Sequence, residues 1–240
     1  MRALTLLLLV SIASARRGVA QVVVPFRPGE VATYHVEFSG IGVGSGSIRV
    51  DSGPNIDGAA TWILRFAVRG GIPFFRVNDV LESWYDPARQ VSVRFAQELH
   101  EGPKRYSRLF EMPLGTGQFI ERGKPPSPSV ADPLDDAAFL FFVRTQPLEV
   151  GRRYEWDRHF RPDANPIRVT VERRERIRVP AGEFDALVLR PSFRSRGVFG
   201  EGGRAELWVA DDSTRRVLQM KSRLSFGSLN LFLTGYQPGR

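Results

Sequence analysis

Apolar and polar residues alternate with a period of two along most of this 240-residue chain. The alternation is clearest over residues 34–38, 62–69, 91–95, 167–171 and 229–233. Successive side chains of a strand point to opposite faces, so this pattern is typical of antiparallel strands that are covered on one face. Turn sequences rich in Gly, Pro and Asp separate the segments. We therefore expect roughly ten to twelve strands.

Residues 132–144 break this pattern and predict a helix. Asp132 is the expected N-cap, and Pro133 suits the first helical position, where its missing N–H has no partner to lose. Residues 139–143 are apolar on every side, so we expect the helix to be buried. The predicted fold is all-β: a curled antiparallel sheet or open β-barrel with one short helix packed in or against it.

The same segment raises the question of a metal site, because Asp132, Asp135 and Asp136 lie close together. Capping and the helix dipole account for all three carboxylates without a metal. The three histidines are His35, His100 and His159. None has the spacing that places two imidazoles on one ion. We predict no metal, no cofactor and no catalytic residue.

The N-terminus resembles a signal peptide. Met1 and Arg2 precede an apolar run over residues 3–15, which is shorter than the about 20 residues that a membrane span needs. Small residues follow, so we expect cleavage after Ala20 or Ala15 and a periplasmic or secreted protein. A membrane anchor or a buried helix is the alternative. We expect residues 21–240 to form a single β-rich domain, with a loop boundary near 123–130 as the alternative division.

The amino-acid composition excludes several classes of protein. The chain has no cysteine, which excludes a disulfide scaffold, a thiolate nucleophile and an iron–sulfur cluster. Its 34 basic residues exceed its 26 acidic residues, but loss of Arg2, Arg16 and Arg17 with a signal peptide would reduce the net charge from +8 to +5. Arginines and glutamates interleave over residues 172–178, which favours a solvated face with cross-strand ion pairs over an anion-binding ladder. No recognition helix or aromatic RNA-binding motif is present, so we expect no nucleic acid partner.

Glycines cluster at residues 42–46 without the spacing of a nucleophile elbow. The sequence continues as a strand, where a dinucleotide-binding loop would lead into a helix. We interpret these glycines as a bend, a bulge or a close approach of another segment.

Several motifs occur in order along the chain: FRPGE (26–30), DVLES (79–83), DPLDD (132–136), LEVG (148–151), VPAGEFDA (179–186) and AELWVADD (205–212). Over residues 26–236 they resemble the bacterial domain-of-unknown-function family 3108 (DUF3108). That resemblance implies an exported bacterial protein with a predominantly β fold. The family has no established activity, so it implies no catalytic or binding residue.

We predict a non-enzymatic cell-envelope protein whose concave face binds a lipid or other apolar ligand, or an envelope protein partner. The predicted lining residues are Trp62, Phe66, Trp84, Phe139, Phe142, Phe199 and Trp208. Phe199 lies in a Gly-rich segment, residues 193–204, that is expected either to gate a cavity or to form a long hairpin loop.

Two alternatives remain. An envelope hydrolase would use carboxylates from separate strands, with Glu82 as a candidate beside Trp84 and Tyr85. A purely structural or interaction β-domain is the other. We do not expect an outer-membrane barrel, because arginines recur along the strands.

Overall fold

The computed structural model describes residues 24–72, 75–192, 205–224 and 227–240. These residues contain fourteen strands and the helix α1, Asp136–Phe142, with short 3-10 turns at Val143–Thr145 and Pro162–Ala164. The strands are β1 Val31–Phe38, β2 Ile41–Ile56, β3 Ala59–Ile72, β4 Phe75–Asp86, β5 Val91–Glu101, β6 Lys104–Glu111, β7 Gln118–Glu121, β8 Ser127–Pro128, β9 Arg153–Trp156, β10 Ile167–Val179, β11 Gly182–Ser192, β12 Ala205–Ala210, β13 Val217–Leu224 and β14 Gly227–Gln237.

The strands form one antiparallel sheet in the order β8-β7-β6-β5-β4-β3-β2-β1-β14-β13-β12-β11-β10-β9. Strands β1 and β14 pair side by side and thereby join the two halves of the chain. The described strands β8 and β9 form the two edges of this sheet, which is not closed into a barrel. The predicted all-β fold is confirmed. Our count of ten to twelve was low because β7, β8 and β9 are too short to show alternation.

Helix α1 is buried against the sheet, and six of its seven residues, all except Asp136, are apolar and at most 3% exposed. The prediction of a buried helix is therefore confirmed. The prediction of its N-cap was wrong, because the cap is Asp135, whose Oδ1 accepts the N–H groups of Ala137 and Ala138, both at 2.9 Å. Asp132 cannot take this place, because Leu134 is held in an extended bridge by backbone hydrogen bonds to the segment around His159.

The glycines of β2 mark a bulge and a close approach, as expected. The register of β2 against β1 shifts beside Gly42 and Gly44. A Cβ atom at Gly44 would lie 2.1 Å from the Arg69 carbonyl oxygen and 2.7 Å from the Gly70 Cα of β3. Strands β2 and β3 can approach this closely because neither residue has a side chain.

Charged side chains on the solvent faces form ion pairs between neighbouring strands. Arg94 of β5 pairs with Glu111 of β6 at 2.9 Å, and Glu183 of β11 contacts both Arg176 and Arg178 of β10. The expectation of a solvated, ion-paired face around residues 172–178 is confirmed.

Candidate functional site

The structure places five of the seven predicted lining residues in the main core or against it. Phe66 is 4% exposed, Phe139 1% and Phe142 3%, and all belong to the main core. Trp62 is partly buried and packs edge-on against Phe26, with ring centroids 6.0 Å apart. These four side chains therefore contribute to the main hydrophobic core.

Trp84, by contrast, does not face the core. Trp84 pairs with Ile63, on the face opposite to the core residue Leu64, and the Arg94 guanidinium lies 5.4 Å from its ring centroid. Trp208 is 6% exposed and belongs to the main core, as do its neighbours Leu207 and Val209. Its indole N–H donates to Glu175 Oε1 at 2.5 Å. Phe199 lies outside the described residues.

A buried ion pair between Glu30 and Arg144 lies at one end of the apolar interior. We call this end the closed end. Both side chains are 2% exposed, and Arg144 Nη1 donates to Glu30 Oε1 at 2.6 Å. Arg144 Nη2 donates to the Thr214 carbonyl at 3.0 Å, and the Tyr236 hydroxyl donates to Glu30 Oε2 at 3.0 Å. Burial, reinforced by the Glu30 carboxylate, raises the pKa of Tyr236 to about 12. The cluster links the end of α1 to both β1 and β14.

A second buried polar group lies at the start of α1. The Ser92 hydroxyl accepts the Asp135 N–H at 3.1 Å and lies 3.4 Å from the Ser83 hydroxyl. Burial raises the pKa of the Asp135 carboxyl to about 6, although Ser83 and the Ala138 N–H lower it. These contacts fix the helix against β4 and β5.

The hydrolase candidate Glu82 has an ion-pair partner, because Arg65 Nε donates to its Oε1 at 2.6 Å. Both residues lie on the face opposite to Phe66 and Leu81, which belong to or pack against the core. Within the described residues, no group of three His, Asp or Glu side chains could hold a metal ion. Likewise, no helix in the described part of the chain is long and apolar enough to span a membrane.

At the opposite end of the sheet the apolar interior reaches solvent. We call this the tip end: it is formed by the hairpins β1–β2, β3–β4, β5–β6 and β13–β14 where their strands reverse. Along the inward face of β3, exposure rises from 0% at Leu64 to 7% at Val68 and 44% at Ile72. Its partner Phe75 is 41% exposed and Ile41 of the neighbouring hairpin is 68% exposed. The core face therefore continues past the point where other residues cover it.

One carboxyl lies on this face as well. Asp79 is on β4, on the same side of the strand as Phe75, and its Oδ1 accepts the His100 N–H at 2.9 Å. Burial raises the pKa of Asp79 to about 6, with a smaller contribution from Glu101, while His100 lowers it.

The apolar tip residues were missed by sequence reasoning, although a signal for them exists. Ile72 and Phe75 are apolar residues at the facing ends of β3 and β4, where polar residues are usual. Ile41 directly follows a turn in the same way.

The family model described as "Protein of unknown function (DUF3108)" matches residues 33–234. The chain belongs to this family. A search of curated proteins returned no match.

One solved structure is similar in fold to this DUF3108 chain. A β-barrel-like protein of the unknown-function family DUF1849 from Brucella abortus matches with a TM-score of 0.57 and 9% identity, covering 91% of this chain and 100% of that one. At this identity the similarity shows the fold alone. Two weaker matches are a putative lipoprotein from Parabacteroides distasonis (TM-score 0.33, 8% identity, 89% and 98% covered) and a putative exported protein with a YmcC-like fold from Bacteroides fragilis (TM-score 0.31, 11% identity, 89% and 97% covered).

Proposed function

We propose that this protein is an exported cell-envelope protein that binds lipid at the tip end of its sheet, without enzymatic activity. The observation that carries the proposal is the uncovered apolar face formed there by Ile41, Ile72 and Phe75. The signal-peptide pattern of residues 1–20 supports export.

The tip end suits this role better than the concave interior that the sequence suggested. Helix α1 fills the interior beside β3 and β4, where Phe139 and Phe142 pack against strand residues such as Trp156. A ligand there would have to displace packed side chains. At the tip end, the apolar side chains are already in contact with water.

Lipid contact would remove these side chains from water. Full burial of one Ile or Phe side chain is worth about 1.5–3 kcal/mol, so three partly exposed residues can supply several kcal/mol. Exposed apolar residues on neighbouring hairpins can contact a bilayer together, because these hairpins reverse at the same end of the sheet. Contiguous apolar surface of this kind is a recognised mark of interaction sites.

Co-sedimentation of the exported protein with phospholipid vesicles tests the proposal. We expect the wild-type protein to sediment with vesicles and the Ile41→Ser/Phe75→Ser variant to bind at least tenfold more weakly. The matched control is Val150→Ser, because Val150 is 50% exposed but lies in the turn before β9. Thermal unfolding of all three should agree closely, since exposed substitutions change stability by about 0.5 kcal/mol or less.

Failure of the wild-type protein to bind vesicles would overturn the proposal. Equal binding by the wild-type protein and the Ile41→Ser/Phe75→Ser variant would also overturn it, because lipid would then be contacting another surface.

A further inference from the structure

We infer that the lipid surface bound at the tip end is anionic, and this inference rests on the proposed function. Six basic residues lie on the strands near the tip end and have no carboxylate partner among the described residues. They are Arg69, Arg76, Lys104, Arg105, Lys221 and Arg223.

None of the six makes an ion pair within 4.0 Å with any described residue. Arg69 Nε donates to the neutral Asn78 side chain at 3.0 Å, and Arg105 Nη1 lies 3.4 Å from His100 Nδ1. Arg76, Lys104 and Arg223 are exposed and have no side-chain hydrogen bond to the described residues.

This contrasts with the basic residues on the rest of the sheet. Most strand-borne arginines elsewhere have carboxylate partners on the same or a neighbouring strand, as in the pairs Arg65–Glu82, Arg94–Glu111, Arg168–Glu155, Arg176–Glu183 and Arg190–Glu172, whereas Arg153 of β9 has none among the described residues. Those charges are locally neutralised. The six cations at the tip end are therefore a group that lacks such neutralisation among the described residues and can attract an external anion.

The acidic residues of the tip end do not cancel this charge. Within residues 37–43, 69–79, 100–105 and 221–230 there are three: Glu37, Asp79 and Glu101. Against the six cations they leave a local excess of three positive charges. Glu37 has His35 as its partner at 3.7 Å, and Asp79 accepts a backbone N–H.

The arrangement fits a bilayer surface in particular. The side chains of Ile72 and Phe75 share the inward face, while Arg69 and Arg76 point to the other face of the same two strands. Apolar side chains can then enter the acyl boundary while the neighbouring guanidinium groups stay at the level of lipid phosphates. Each Lys or Arg near an anionic leaflet strengthens binding by about fivefold.

The test compares vesicles of phosphatidylcholine alone with vesicles of phosphatidylcholine and phosphatidylglycerol. The variant is Arg76→Gln/Lys104→Gln/Arg223→Gln. A matched control with the same charge change is Arg152→Gln/Arg153→Gln/Arg176→Gln, whose residues are exposed and lie away from the tips. We expect the tip variant to lose about a hundredfold in affinity for anionic vesicles at low salt and to match the wild-type protein on neutral vesicles.

The outcomes separate the two proposals. Equal wild-type affinity for neutral and anionic vesicles would overturn the anionic preference and leave lipid binding in place. An equal loss in the tip variant and the matched control would also overturn it, because net charge alone would explain the effect. If the wild-type protein binds neither type of vesicle, the proposed function itself is overturned.

Discussion

The closed end and the tip end finish the same sheet in opposite ways. At the closed end, the apolar interior is covered by α1 and sealed by Glu30 and Arg144, which are 2% exposed and paired with each other. At the tip end, the same apolar face continues to Ile72 and Phe75, and nearby cations have no carboxylate partner in the part of the chain that the structure describes. The charged residues at the closed end thus pair with each other inside the protein, whereas those at the tip end remain available to a ligand.

The largest expected effect comes from opening the closed end. Arg144→Met removes one partner of a buried ion pair and leaves the Glu30 carboxylate without its counter-ion. We expect the free energy of unfolding to fall by about 3–5 kcal/mol, because an uncompensated charge then remains in the interior. Urea denaturation measures this loss.

Arg168→Met is the matched control, since Arg168 pairs with Glu155 on the exposed face. This change should cost about 1 kcal/mol or less. The double variant Glu30→Gln/Arg144→Met should recover part of the loss. Similar losses for Arg144→Met and Arg168→Met would show that the closed end is not sealed by this pair.

The next effect concerns pH and the start of α1. The folded-state pKa of Asp135 is about 6 and its ordinary value is 3.8. The folded protein therefore binds this proton more tightly than the unfolded chain does, and stability falls as the pH rises from about 4 to about 6. A difference of this size corresponds to about 3 kcal/mol. Asp135→Asn keeps the cap but cannot ionise, so unfolding measured across this range should depend less on pH in the variant.

Asp79 has a pKa that is raised in the same direction, but it is present in both proteins and cancels from their difference. Parallel pH profiles for the wild-type protein and Asp135→Asn would contradict the assignment of a raised pKa to Asp135.

A smaller effect is expected where β2 and β3 meet on the way to the tips. Gly44→Ala would place a Cβ atom 2.1 Å from the Arg69 carbonyl oxygen. The strands must separate to admit it, which we expect to cost about 1–3 kcal/mol in thermal unfolding. Ser45→Ala is the control, because Ser45 is exposed on the other face. If both variants unfold like the wild-type protein, the close approach of the two strands is not required.

Local patterns predicted much of this fold. Alternation identified the long strands, and the apolar run at residues 139–143 indicated a buried helix. The N-cap was missed because the bridge between Leu134 and His159 joins residues far apart in the chain. Trp84 was misplaced because its face depends on the register with β3, which a single strand does not reveal.

The buried ion pair of the closed end and the exposed apolar residues of the tip end could not be predicted from the sequence either, because both depend on contacts between distant parts of the chain. The Glu30–Arg144 pair joins residues 114 positions apart. Alternation shows that Val68 and Ile72 share a face, but it does not show that Val68 is 7% exposed and Ile72 44% exposed. Exposure depends on which residues from other parts of the chain pack against each side chain.

The most direct measurement places a fluorescent probe either at the tip end or in the turn before β9. The chain has no cysteine, so Phe75→Cys and Val150→Cys each provide one labelling site for an environment-sensitive dye. When vesicles containing phosphatidylglycerol are added, we predict a blue shift of the emission at position 75 and none at position 150. A shift at position 150, or no shift at position 75, would contradict the account.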